Sequence, residues 1–126
     1  MTLDEKKKRL ENYRNELKEL KRFEGQYTHL VNLENLIGNS DTYFAKNAKN
    51  DINEEKIRLC KAVSRLIKDK RDIERKIDEL ENGSYALLLK YRYLDGYSWE
   101  EITELLNYSW RSVHYMHNKA LTSIAI

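Results

Sequence analysis

The chain of 126 residues has no proline, four glycines and one cysteine. Proline is the usual breaker of long helices, so its absence permits helices of many turns. The glycines stand apart from one another and form no glycine-rich loop of the kind that holds phosphate in nucleotide-binding enzymes. A single cysteine can form no disulfide within the chain. These absences disfavour a nucleotide-binding α/β enzyme and indicate a reducing, cytoplasmic environment.

Long apolar runs are also missing from the sequence. No stretch approaches the roughly 18 apolar residues of a membrane span. The first twenty residues are charged throughout, unlike a signal peptide. We therefore expect a cytoplasmic protein without a membrane partner.

Neither sign of charge dominates, because 23 Lys and Arg stand against 21 Asp and Glu, for a net charge of +2. This balance excludes a histone-like polycation. Residues 84–126 hold four cations and four anions and are neutral, so the whole excess lies in residues 1–83. A neutral segment releases few counterions on DNA, and we expect residues 84–126 alone to bind DNA weakly. Dimerisation, or attachment to RNA polymerase, would restore affinity through effective concentration.

Residues 1–83 carry apolar positions at heptad spacing. Two series recur at every seventh position: Leu3, Leu10 and Leu17, and then Ile52, Leu59, Leu66, Ile73 and Leu80. Such series predict two long helices, the first with an interruption near Gly25 and the second ending at a left-handed Asn82-Gly83. Residues 38–51 lose the periodicity and gather turn-forming residues, which predicts a loop between the helices. The simplest arrangement is an antiparallel helical hairpin.

This hairpin has a thin predicted core, with one apolar stripe on each helix and two lysines, Lys56 and Lys70, in the interior register. A stripe buried on one side only favours further burial against a partner. We predict homo-oligomerisation through the hairpin or contact with another protein. The alternative is a solvated coiled coil that only sets a spacing. The basic run of residues 6–9 could touch phosphate, but it is interpreted as a solvated helix start.

Residues 84–126 are denser in apolar and aromatic side chains. The turn dipeptide Asp95-Gly96 and the N-cap spacings at Ser98 and Ser109 predict three short helices, over residues 85–94, 99–106 and 110–124. Asn107 tolerates positive φ and fits the turn of a helix-turn-helix. We expect six aromatic residues to build the small core: Tyr85, Tyr91, Tyr93, Tyr97, Trp99 and Tyr108.

The third of these helices has a polar outward face. Projection at 100° per residue from an inward Val113 places Trp110 and His114 on the flanks. It places four residues on the inward side: Met116, His117, Ala120 and Ile124. The same projection turns six residues away from the core: Arg111, Ser112, Tyr115, Asn118, Lys119 and Thr122. Such side chains read base edges and phosphates in a major groove, and Arg111 is the first candidate for guanine.

The segment LLLKYRYLDGYSWEEITELLNYSWRSVHYMHNKAL resembles region 4 of sigma-70-type factors. The whole arrangement resembles small sigma-like phage and prophage proteins related to the late-transcription activators of the ArpU and RinA type. The resemblance implies a winged-helix-like DNA-binding domain, double-stranded DNA as partner, and RNA polymerase as a second partner. It also implies the residues that touch promoter DNA, which are Arg111, His114, Tyr115 and Lys119, with Trp110 and Ser112 beside them.

The sequence gives little support for a metal site or for a catalytic cysteine. His114 and His117 lie three apart, but no third metal ligand is near in sequence, and Cys60 has no base beside it. His117 is interpreted as a histidine at the core edge. We expect no cofactor, no metal and no enzymatic activity.

We therefore predict an all-α protein with a helical hairpin over residues 1–83 and a helix-turn-helix domain over residues 84–126. The predicted function is that of a sequence-specific, DNA-binding transcription regulator of phage type. Two alternatives remain open. One is a packaging protein of the terminase small-subunit kind, which also combines a helix-turn-helix with oligomerisation. The other is a coiled-coil adaptor without DNA binding.

Overall fold

The computed structural model describes all 126 residues, and the fold is all-α. Its helices are α1 (Leu3–Ile37), α2 (Tyr43–Asp78), α3 (Gly83–Leu89), α4 (Trp99–Leu106) and α5 (Trp110–Ser123), and α3 continues as a π-helical segment over Lys90–Leu94. The two long helices pack against each other as a hairpin, and the small helical domain follows. The predicted fold class is confirmed. None of the helices combines the length and hydrophobicity that a membrane span requires.

The connection between α1 and α2 is shorter than the predicted loop over residues 38–51, and that prediction was wrong. Only residues 38–42 are non-helical. Gly38 has a φ of +62° directly after α1, and the Thr42 hydroxyl accepts a hydrogen bond from the Ala45 amide at 3.1 Å, capping α2. The polar residues after Thr42 suggested a loop, but they lie on the exposed side of a helix that buries Ala45 and Ile52.

The predicted interruption of α1 near Gly25 is absent, since the helix is continuous from Leu3 to Ile37. A glycine costs a helix only about 1 kcal/mol relative to alanine, which continuous hydrogen bonding on both sides outweighs. The predicted left-handed end of α2 at Asn82-Gly83 was also wrong. α2 ends at Asp78, and Asn82 caps the next helix instead, its Oδ1 accepting from the amides of Ser84 and Tyr85 at 3.0 and 3.3 Å.

The chain divides into two compact units, which differ from the predicted division at residues 83 and 84. One unit, residues 18–68, contains the connected ends of the two long helices. Its buried apolar residues are Ala45, Ile52 and Leu59. Lys56, predicted in the interior register, is neutralised there by the Glu34 carboxylate at 2.8 Å.

The other unit joins residues 1–17 and 69–126. Its larger core draws from both stretches and comprises Leu10, Tyr13, Ile73, Ile77, Leu89, Tyr93, Ala120, Leu121 and Ile124. A smaller core of Leu88, Ile102 and Val113 lies within the short helices. Residues 84–126 are too few to enclose the larger core by themselves, and they complete it with the free ends of α1 and α2. We call this unit the reader unit, after the role predicted for its helix-turn-helix.

Of the six aromatic residues expected in the small core, Tyr93 is buried and four are partly buried. Tyr108 is the exception, because half of its surface is exposed. It lies in the turn between α4 and α5, where no element covers it.

Candidate nucleic-acid interface

α4 and α5 form a helix-turn-helix whose turn is residues 107–109. The Ser98 hydroxyl accepts from the Glu101 amide at 3.2 Å and begins α4, and the Ser109 hydroxyl accepts from the Ser112 amide at 3.1 Å and begins α5. Between them Asn107 adopts φ 56° and ψ 41°, the left-handed conformation expected from its residue type. The two serine caps and the asparagine turn were all predicted from the sequence.

The smaller core of the reader unit fixes which side of α5 faces inward. Leu88 of α3, Ile102 of α4 and Val113 of α5 are each fully buried in one cluster. His117, Ala120 and Ile124 are buried as the projection predicts, and Leu121 is buried as well, because the free end of α1 covers a side of α5 that the projection left open.

The opposite side of α5 is exposed. It carries the six residues of the projection, Arg111, Ser112, Tyr115, Asn118, Lys119 and Thr122. We call these six the outward face. The side chains of Arg111 and Asn118 make no hydrogen bond or ion pair within the protein, whereas the Lys119 ammonium lies 5.4 Å from the centre of the Tyr115 ring. The projected geometry is confirmed, and contact with DNA stays a prediction.

His114 lies on the flank, as projected, and its ring is held between two tryptophan rings that are tilted against it. Its ring centre is 3.7 Å from that of Trp110 and 4.6 Å from that of Trp99, and the Arg92 guanidinium covers Trp99 at 4.6 Å. Burial lowers the pKa of His114, and the cations of Arg92 and Lys7 lower it further. His114 is thus a support for Trp110, which begins α5 and keeps 61% of its surface exposed.

His117 is a core residue, as the sequence suggested. It is 4% exposed, and its Nε2 shares a hydrogen bond with the Tyr93 hydroxyl at 2.8 Å. Burial is the main cause that lowers the pKa of His117 to about 4, so the ring is neutral near pH 7. No group of three or more His, Cys, Asp or Glu side chains comes together in the fold to hold a metal ion.

Two lysines far away in sequence hold the carboxyl end of α5. Lys6 Nζ donates to the carbonyl oxygens of Thr122 and Ile124 at 3.3 and 2.8 Å, and Lys76 Nζ donates to that of Ala125 at 2.8 Å. Cations at this position also complement the helix dipole. Sequence analysis missed both lysines, because they belong to α1 and α2 and nothing local relates them to α5.

A cavity of about 350 Å³ separates the first turns of α1 from α5. Its lining is Leu3, Asp4 and Lys7 from α1, Trp99 from α4, and His114, His117, Asn118 and Leu121 from α5. Asn118 belongs to both the cavity and the outward face. The basic start of α1 therefore lies beside the helix predicted to read DNA, and is more than a solvated helix end.

Comparison with known families places most of the chain in a described family. The model of DUF1492, described as a protein of unknown function, matches residues 44–125, about two thirds of the chain. The chain therefore belongs to the DUF1492 family. The match covers almost all of α2 and every helix after it. Searches of curated proteins and of solved structures found no match.

Proposed function

We propose that this member of the DUF1492 family is a sequence-specific, DNA-binding transcription regulator of phage type that inserts α5 into the major groove. The observation that carries the proposal is the outward face of α5. It presents the exposed side chains of Arg111 and Asn118, which have no partner within the protein. The opposite side of the helix is packed into the core, and its two ends are held by Ser109 at the start and by Lys6 and Lys76 at the finish. Rigid presentation of this kind lowers the cost of ordering on binding.

The residues of the outward face suit different parts of a DNA site. Arg111 stands in the first turn of α5 with its guanidinium free, and its planar fork matches the O6 and N7 acceptors of guanine. The Asn118 amide is the group that pairs with adenine. Tyr115 and Trp110 offer apolar surface to thymine methyl groups, and Lys119 offers a cation to phosphate. His114 acts through Trp110, whose ring it contacts.

The partners belong to the same proposal. The resemblance of residues 85–121 to sigma region 4 supports promoter DNA and RNA polymerase as partners. Large apolar side chains are exposed near the connection of the two long helices, namely Leu36, Tyr43 and Phe44. Apolar surface of this kind favours a protein contact, either with a second copy of the chain or with the polymerase.

Selection from a pool of random duplexes by the full-length protein tests the proposal. We expect one sequence to be enriched, and the double substitution Arg111→Ala with Tyr115→Ala to abolish preference for it without unfolding the protein. Each good base contact contributes about 1–3 kcal/mol of discrimination, so the two losses together remove about 2–6 kcal/mol, which is roughly thirtyfold or more in specificity. The matched control is Lys90→Ala, which removes a cation of the same segment that is paired with Asp78 at 2.7 Å.

Three results would contradict the proposal. Retained specificity in the Arg111 and Tyr115 variant would show that the outward face does not read the site. Enrichment of no sequence at all would favour the protein-binding adaptor. A ring of many subunits on packaging DNA, measured by mass in solution, would favour the terminase small-subunit kind of protein.

A further inference from the structure

Residues 84–126 contain only four cations, and four anions balance them. The segment that carries α5 therefore has little net attraction for phosphate. Contacts to the sugar-phosphate backbone fix the register of a reading helix in its groove, and they supply most of the affinity. The first turns of α1 bring a second set of cations to the side of α5, namely the basic run of residues 6–9. The cations of this run differ in what they already bind.

Three of the four cations are engaged within the protein: Lys6 with carbonyl oxygens at the end of α5, Lys8 with Asp4 at 3.4 Å, and Arg9 with Glu16 at 3.8 Å. Lys7 has no ion pair and no hydrogen bond within the protein, and it is exposed. Its ammonium is therefore free for a partner from outside.

Lys7 shares the cavity between α1 and α5 with Asn118. Asn118 also lies on the outward face, and its side-chain amide has no partner within the protein. The one carboxylate in the lining, Asp4, is paired with Lys8. The charge of Lys7 also reaches the opposite side of the cavity. Burial is the main cause that lowers the pKa of His114 and of His117, and the Lys7 ammonium lowers both further. Two free donors and a positive local potential thus border the outward face on its α1 side.

We infer that Lys7 binds a backbone phosphate of the DNA beside the groove that α5 enters, next to Asn118 of the outward face. The inference rests on the proposed function and identifies a contact that residues 84–126 cannot make by themselves. A lysine suits this role because its ammonium is a compact point charge with three donors and needs no fixed geometry. A phosphate flanking the groove carries no base identity, so the contact adds affinity equally for every sequence.

The experiment compares the full-length protein with Lys7→Gln, Lys7→Arg and Arg71→Gln by titrating salt against binding of two short duplexes, one selected and one of scrambled sequence. Arg71 is an exposed cation of the reader unit without an ion pair, so its loss is a matched change in net charge. For Lys7→Gln we expect the slope of log K against log salt to fall by about one, and Kd to rise about threefold to tenfold on both duplexes alike. Lys7→Arg restores both quantities, and Arg71→Gln leaves the slope unchanged.

Equal salt slopes for the wild-type protein and Lys7→Gln overturn the assignment of Lys7 and leave the recognition role of α5 intact. An equal fall of the salt slope in Arg71→Gln also overturns the assignment of Lys7, because the slope would then depend only on net charge. A weakening confined to the selected duplex would assign Lys7 to a base and overturn the phosphate contact. Failure of the wild-type protein to enrich any sequence overturns the proposed function, and with it this inference. Circular dichroism of each variant confirms that the helices are retained.

Discussion

His117 is buried, with its Nε2 2.8 Å from the Tyr93 hydroxyl, and folding lowers the pKa of its ring. Its pKa is about 4 in the folded protein against an ordinary 6.5. As the pH falls below about 6.5, the unfolded chain takes up a proton that the folded chain refuses. The free energy of unfolding should therefore decrease by up to about 3 kcal/mol between about pH 6.5 and about pH 4, and the stability is fully present above that range.

Urea denaturation of the wild-type protein and of His117→Gln, followed over this pH range, measures the effect. Carboxylates titrate in the same range, so the informative quantity is the difference between the two pH profiles. We expect Gln at position 117 to flatten the profile. His29→Gln is the matched control, because His29 is exposed on α1 and its removal should leave the profile unchanged. An identical profile for His117→Gln and the wild type would assign the acid sensitivity to other groups.

Among the candidate site residues, the sequence was most informative where a side chain acts locally. Asn107 and the two serine caps take the conformations that their residue types favour. The exposure of Arg111 and Tyr115 follows from helical periodicity alone. The position of His114 between Trp99 and Trp110 does not, because it brings together residues of two helices whose packing angle the sequence leaves open.

At the scale of the element, α5 is a short helix whose carboxyl end is held by groups from the two long helices. Substitution of Lys6 by Met removes its hydrogen bonds to the carbonyl oxygens of Thr122 and Ile124, and should destabilise the protein by about 1–2 kcal/mol. Fraying of the last turn of α5 should accompany the loss. Hydrogen exchange of the amides near Thr122 checks the local effect, and thermal unfolding checks the global one.

Lys8→Met is the matched control for this helix end. The Lys8 ammonium is paired only with Asp4, and both side chains are about three-quarters exposed. An exposed pair of this kind contributes little to stability, so the control should change the unfolding free energy by less than about 0.5 kcal/mol. Equal effects of the two substitutions would contradict a specific role of Lys6 at the end of α5.

At the scale of the whole molecule, the reader unit is built from both ends of the chain. Leu10 and Tyr13 of α1 and Ile73 and Ile77 of α2 are buried in the same core as α3 and α5. We therefore expect residues 84–126 alone to be largely unfolded, with little helical circular dichroism and no cooperative thermal transition. Weak DNA binding by this fragment would then follow from its lack of structure as well as from its lack of charge.

The control joins residues 1–17 to residues 69–126 through a short flexible linker and retains the whole core of the reader unit. This chain should fold cooperatively and keep the helicity of its segments. A further check is Leu10→Ala in the full-length protein, which should lower the free energy of unfolding by about 2–4 kcal/mol although Leu10 lies in α1. A cooperative transition in residues 84–126 alone would show that the short helices fold without the hairpin.

The absence of proline, the heptad spacing and the turn residues by themselves determined an all-α chain with two long helices and a helix-turn-helix. These features act through local backbone preference and periodicity, which a single sequence shows directly. The tertiary structure decided which segments share a core, that the connection between the long helices is short, and that Lys6, Lys7 and Lys76 lie around α5. Such contacts join residues up to 118 positions apart, and their free energy depends on packing that no local pattern encodes. The neutral charge of residues 84–126 is therefore a property of the segment, and the surface around α5 also carries cations from α1 and α2.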